Sequence, residues 1–114
     1  MDKKEYLESY EKLWQQYQML DTQIKGLKSI DYDHIKTTAP VTLVDKLAKI
    51  DDIGRKMKDI ELSLDSIEDL TTRTILEYRY ILFYSVEDTA NAMDLCISTI
   101  KRRSKQGIEE LIPI

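Results

Sequence analysis

From Tyr6 onward the apolar positions run Tyr6, Tyr10, Leu13, Tyr17, Leu20, Ile24 and Leu27, in alternating steps of four and three. That spacing is a heptad seam across about three heptads. Leu7 and Trp14 widen it to the stripe of a helix packed on more than one neighbour. Asp2, with Glu5 three residues on, forms a capping pair for this helix, and Gly26 lies within its last turn and marks its end. From Lys28 to Pro40 the pattern breaks, and Asp31-Tyr-Asp-His34 and Thr37-Thr-Ala-Pro40 read as loop. Thr42 is an N-cap for a second helix whose stripe is Leu43, Leu47, Ile50, Ile53, Met57, Ile60, Leu64 and Ile67. Gly54 inside it costs about 1 kcal/mol against alanine, which a close helix crossing would justify. Two such helices predict an antiparallel hairpin over residues 1–67, coiled-coil-like in its seam. Its stripes exceed what one hairpin interface covers. Self-association follows, with a dimer favoured, through Tyr6, Tyr10, Leu13, Trp14, Tyr17, Leu20, Ile24 and Leu27. The alternative is a monomer in which both helices wrap the C-terminal part.

Residues 68–114 pattern differently. Ser66 or Asp69 opens a helix through Leu70, Ile75, Leu76, Tyr80 and Ile81, which Phe83-Tyr84 ends. Ser85 caps the next helix, with Asp88 at the capping-box position and Val86, Thr89, Ala90 and Met93 as its buried face. Asp94 takes a turn position where the backbone goes left-handed, usually glycine but tolerable for Asp. Leu95 tucks inward. The final helix, about Ile97 to Leu111, turns Ile100, Ile108 and Leu111 inward with Gly107 beside them. Short helix, tight turn and a second helix with small polar residues at its start and basic ones after them predict a DNA-binding helix-turn-helix.

Ile97, Ser98, Lys101, Arg102 and Lys105 fall on the outer face of that last helix. Ser98, Lys101 and Arg102 are the candidates for base edges. Lys105, Arg103 and Thr99 are candidates for phosphates, which position without specifying. A basic cluster at a helix C-terminus would satisfy the dipole alone, but this one lies mid-helix. The bland alternative is a solvated basic face.

Composition narrows the class. The chain of 114 residues is 42% hydrophobic and 33% charged, with 3 Gly and 2 Pro, too few turn residues for an all-β fold. The expected class is all-α. No apolar run approaches the roughly 20 residues that span a bilayer, and Met1-Asp2-Lys3-Lys4-Glu5 opens no secretory signal. A single cysteine, Cys96, allows no internal disulfide and fits a reducing, cytoplasmic setting. Net charge is −4 and the pI about 5.0, an unpromising balance for nucleic acid. Yet residues 71–114 hold 6 basic and 6 acidic side chains, and four of those basic ones lie between Lys101 and Lys105. Local field outweighs total charge in steering onto DNA. A dimer or a partner would still help.

Leu76-Glu-Tyr-Arg79-Tyr80-Ile81, Ser85-Val-Glu-Asp88-Thr89-Ala90, Met93-Asp94-Leu95-Cys96 and Ser98-Thr99-Ile100-Lys101-Arg102 resemble region 4 of sigma factors. The wider resemblance is to the phage ArpU/RinA-like group of late-gene transcriptional regulators. It extends over nearly the whole chain, with a specific motif only from about residue 70. It implies a protein of a phage or other mobile element that binds promoter DNA in a bacterial host and regulates transcription, with RNA polymerase as a possible partner. The chain departs from that pattern at Cys96, where Ser or Thr usually caps the recognition helix. It departs again at Asp94, in place of Gly, and at Arg103, a position often apolar, where the stem could lie on the core and the head snorkel out.

Two other classes stay open. One is a protein-interaction module with a degenerate helix-turn-helix, docking on polymerase or inhibiting a host factor. The other is a DNA-packaging protein of the small-terminase kind. No enzyme, cofactor or metal is expected. His34, the only histidine, stands with Asp31 and Asp33 at a spacing that fits no closed metal site. Cys96 has no histidine beside it, and no Gly-rich phosphate loop is present.

Overall fold

The structure, a computed structural model, describes residues 2–29 and 39–114, with side chains described at 2–26 and 43–114. Among these residues it is all-helical. The helices are α1 (Lys3–Ser29), α2 (Ala39–Ser63), α3 (Leu70–Leu76), α4 (Val86–Met93) and α5 (Ile97–Glu110). A 3-10 turn (Leu64–Ser66) follows α2, and a π-helical turn (Glu77–Ile81) prolongs α3. No helix among the described residues is long and apolar enough to cross a membrane. Two compact units divide the chain: Met1–Glu11 with Lys58–Ile114, and Lys12–Met57.

Three boundaries differ from the sequence expectation. α1 runs through Gly26 to Ser29, because no glycine here adopts a positive φ that would stop a helix. α2 begins at Ala39, so Thr42 lies inside it and Pro40 in its first turn. A proline there forfeits nothing, since the first-turn N–H groups have no intrahelical acceptor. α2 then stops at Ser63 rather than reaching Ile67. Ser63 and Ser66 turn their hydroxyls back onto the carbonyls of Ile60 (2.6 Å) and Ser63 (2.7 Å), offering the backbone an alternative to the α ladder. Residues 30–38, including His34, Asp31 and Asp33, lie outside the described residues.

In the first unit the buried side chains are Leu7, Tyr10, Ile60, Leu64, Ile67, Ile75, Leu76, Ala90, Ile100 and Leu111. The buried hydroxyls of Ser63, Thr72 and Thr89 are each satisfied locally, onto Ile60 O, Asp69 and Ser85 O, as burial of polar groups demands. Tyr10 donates to Glu61 Oε1 at 3.1 Å, and burial, followed by the Glu61 charge, pushes its pKa up to about 12. Arg73 donates from Nε (3.1 Å) and Nη2 (2.7 Å) to the Ile67 carbonyl. Lys3 Nζ donates to the Glu109 carbonyl at 2.7 Å, a cation on the C-terminal end of α5.

In the second unit Ile24 and Met57 are buried. The Tyr17 ring lies 3.8 Å from where a Cβ on Gly54 would stand, and Lys46 Nζ donates to Gln23 Oε1 at 2.6 Å. Trp14 and Tyr17 stack with rings 10° apart in plane.

Gly107 sets the closest helix contact. A Cβ there would stand 2.7 Å from Thr72 Cγ2 and 2.8 Å from Leu76 Cδ1. Thr72 is tied through its hydroxyl to Asp69 and Leu76 is wholly buried, so neither yields easily. Gly107→Ala is therefore expected to lose about 1–2 kcal/mol in a urea melt, overpacking outweighing the gain in helix propensity. Gly26→Ala, whose Cβ meets nothing within 4 Å, should instead gain a few tenths to about 1 kcal/mol.

Candidate nucleic-acid interface

α5 is entered through a turn built by local chemistry. Ser85 opens α4 by accepting the Asp88 N–H at 3.0 Å. α4 ends at Asp94, left-handed with φ 55, and the Leu95 N–H returns to the Ala90 carbonyl at 3.0 Å. That bond closes a Schellman-type turn and folds Leu95 onto the cluster of Ile75, Ala90 and Ile100. α5 thus starts with its orientation fixed.

Its inward face carries Ile100, Gly107 and Leu111, all buried, with Ile108 half-buried. Its outward face carries Ile97 (41% exposed), Ser98, Lys101, Arg102 and Lys105, all exposed, with Thr99 half-buried at the edge. Among the described residues Lys101, Arg102 and Lys105 form no ion pair or hydrogen bond within the chain.

Arg103 is placed differently from the phosphate contact expected of it. Its Nη1 donates to Asp69 Oδ2 at 2.8 Å and its side chain is 35% exposed, so its head is bound within the chain. The same Asp69 oxygen caps α3, accepting the Thr72 N–H (3.2 Å) and hydroxyl (2.6 Å). The Thr72 hydroxyl foremost, with the Arg103 charge adding, holds the Asp69 carboxyl below its ordinary 3.8. Nothing local signals this pair, because 34 residues separate its members.

Cys96 occupies the N-cap position of α5 without a side-chain capping bond to the backbone. Its Sγ lies 3.2 Å from Ser98 Oγ and 2.9 Å from Thr99 Oγ1, and these hydroxyls, Ser98 first, bring the thiol down to about 7. Such a thiol is partly ionised at neutral pH.

Beside α5 lies a cleft of about 460 Å³, lined by Asp2, Lys4, Arg79, Tyr80, Val86, Lys101, Ser104, Lys105, Ile108 and Glu109. Lys4 and Arg79 join Lys101 and Lys105 there although both lie outside α4, the turn and α5, and no sequence spacing connects them to those elements. Burial raises the Tyr80 pKa.

Of the residues expected to self-associate, Tyr10 and Ile24 are buried within the chain. Tyr6, Leu13, Tyr17 and Leu20 are half-buried, and Trp14 is 37% exposed. The side chain of Leu27 lies outside the described residues. Leu7, expected only to widen the seam, is wholly buried. Among the described residues no group of three His, Cys, Asp or Glu side chains is placed to hold a metal.

Comparison of the chain with protein-family models, with curated proteins and with solved structures found no match.

The Asp69 carboxylate gives a pH signature. A carboxyl held below its ordinary value stabilises the fold fully above 3.8, and that contribution is lost as pH falls through the lowered value. At neutral pH Asp69→Ala is expected to melt below the wild type, and Asp69→Asn, which keeps a cap, to fall between them. The gap between wild type and Asp69→Ala should close on acidification past the ordinary carboxylate range. A gap of constant size in acid would count against the role given to the charge.

Proposed function

We propose that this protein is a sequence-specific DNA-binding transcription regulator that reads promoter DNA with α5. The observation that carries the reading is the division of that helix. One face is sealed in the core by Ile100, Gly107 and Leu111, and the other holds Lys101, Arg102 and Lys105 out without partners among the described residues. Short α4, the left-handed Asp94 and α5 support a helix-turn-helix. The resemblance to sigma region 4 and to the ArpU/RinA-like regulators adds the promoter, the phage or mobile element and the bacterial host. Ser98, Lys101 and Arg102 face base edges, Lys105 and Thr99 face phosphates, and Arg103 steadies the helix through Asp69.

The double variant Lys101→Ala with Arg102→Ala is expected to bind its promoter site on the order of 100-fold more weakly, since each base contact is worth about 1–3 kcal/mol. Helicity should be unchanged. Gel shift measures the first and circular dichroism the second. Wild-type affinity in the variant would sink the proposal.

The N-terminal helices act in this reading as an antiparallel hairpin that pairs two chains. The contacts of Tyr17 with Gly54 and of Gln23 with Lys46, in opposite order along the two helices, support the hairpin. Exposed Trp14, Met19, Val44 and Leu47 support a further partner. Light scattering is expected to give the mass of a dimer, and Trp14→Glu with Leu47→Glu that of a monomer. A wild-type monomer would favour the second reading, in which these residues dock on another protein such as RNA polymerase.

A further inference from the structure

We infer that the cleft beside α5 is a second DNA contact, a seat for the sugar–phosphate backbone next to the groove that α5 enters. The inference rests on the DNA-binding reading of α5 and adds Lys4 and Arg79 to it. Lys101 and Lys105 belong both to the cleft wall and to the outer face of α5, about 6 Å apart along its axis. A polymer lying along that face passes the mouth of the cleft.

The charge there is out of keeping with its surroundings. Residues 1–11 and 58–114 hold 9 basic and 15 acidic side chains, yet four of those basic groups line this one cleft against the two carboxylates of Asp2 and Glu109. One of the cations, Arg79, is held in place by built geometry. It sits on the π-helical turn, and two residues past the end of that turn Phe83 takes φ 61, a strained value for a bulky residue. Such turns and such strain gather at functional sites. One guanidinium nitrogen of Arg79 donates to the Tyr84 carbonyl at 2.6 Å, and the group lies 5.9 Å from the Tyr80 ring centroid. Among the described residues its remaining N–H groups have no partner, and they form a fork that fits phosphate oxygens. Lys3, anchored on the Glu109 carbonyl, brings the start of α1 to α5 and so presents Lys4, whose own contact with Glu8 is a loose 4.0 Å. Ser104 adds a shielded hydroxyl without a partner among the described residues. Contacts of this kind position the protein on the duplex and carry no sequence information.

The test uses the full chain, a short duplex carrying the site that the wild type selects from a pool of random-sequence duplexes, and a scrambled duplex of the same composition. Lys4→Gln with Arg79→Gln is expected to weaken binding to both duplexes by the same factor. It should also flatten the slope of log K against log salt by about 0.9 for each lost contact. Arg79→Lys should restore most of its share, which separates charge from the bond to Tyr84. Glu109→Gln should bind both duplexes more tightly, the opposite sign from any loss of structure. If Arg79→Gln fails to fold by circular dichroism, Lys4→Gln and Glu109→Gln alone still decide the matter. Wild-type affinity and slope in the Lys4 and Arg79 variants would overturn the inference while leaving the α5 reading standing. Failure of the wild type to bind either duplex would overturn both. A changed preference between the duplexes, or a poly-glutamate peptide bound through Lys4 and Arg79 with DNA affinity untouched, would reassign the cleft.

Discussion

The close approach of α5 to α3 at Gly107 is the constraint on which the rest of the first unit depends. Only a residue without a Cβ lets the backbone of α5 settle against Thr72 and Leu76 at this distance. That contact, with Ile100 above and Leu111 below it, fixes the rotation of α5 about its own axis. Once the rotation is fixed, helical geometry decides which residues face outward, and Lys101, Arg102 and Lys105 are those residues. The packing and the candidate interface are two sides of one helix.

Polar chemistry secures the same contact from its edge. One oxygen of Asp69 caps α3, holds Thr72 in the rotamer that faces Gly107, and accepts from Arg103 on α5. A single carboxylate thus links the start of one helix to the middle of another. The exposed geometry makes its worth as an ion pair small. Its worth as a positioning group is larger, since it selects where Thr72 and Arg103 lie.

The sequence made legible what local rules control. The Asp69 and Ser85 caps, the left-handed Asp94, the inward set of Ile100 and Leu111 and the exposed set around Lys101 all follow from spacing and side-chain chemistry within a few residues. What local rules do not reach was missed. The C-terminal end of α2 depended on hydroxyls of Ser63 and Ser66 competing for backbone, against an apolar period that continued to Ile67. Arg103 looked like its neighbours because its partner lies far away in sequence. Lys4 carried no signal, and Arg79 stood in the sigma-like run without a role of its own, for a basic residue becomes part of a cleft only when the fold brings its helix there. Tyr10 and Ile24 read as parts of a seam for a second chain, while their burial shows apolar surface already covered within this one.

The acidic balance of the chain bears on how such an interface would work. At physiological salt, charges farther apart than about 8 Å are largely screened from one another. Carboxylates spread over the rest of the surface therefore weaken long-range steering more than they weaken contact. A phosphate already at α5 feels Lys101, Arg102 and Lys105 far more than distant Asp and Glu. Encounter would be slow for so acidic a protein, and lasting attachment would depend on how many cations reach the backbone together. A helix offering three outward cations would be weak by that measure. Adding the two cations of the cleft, and then a second chain, is the physical route by which an acidic protein with a small basic face could hold DNA.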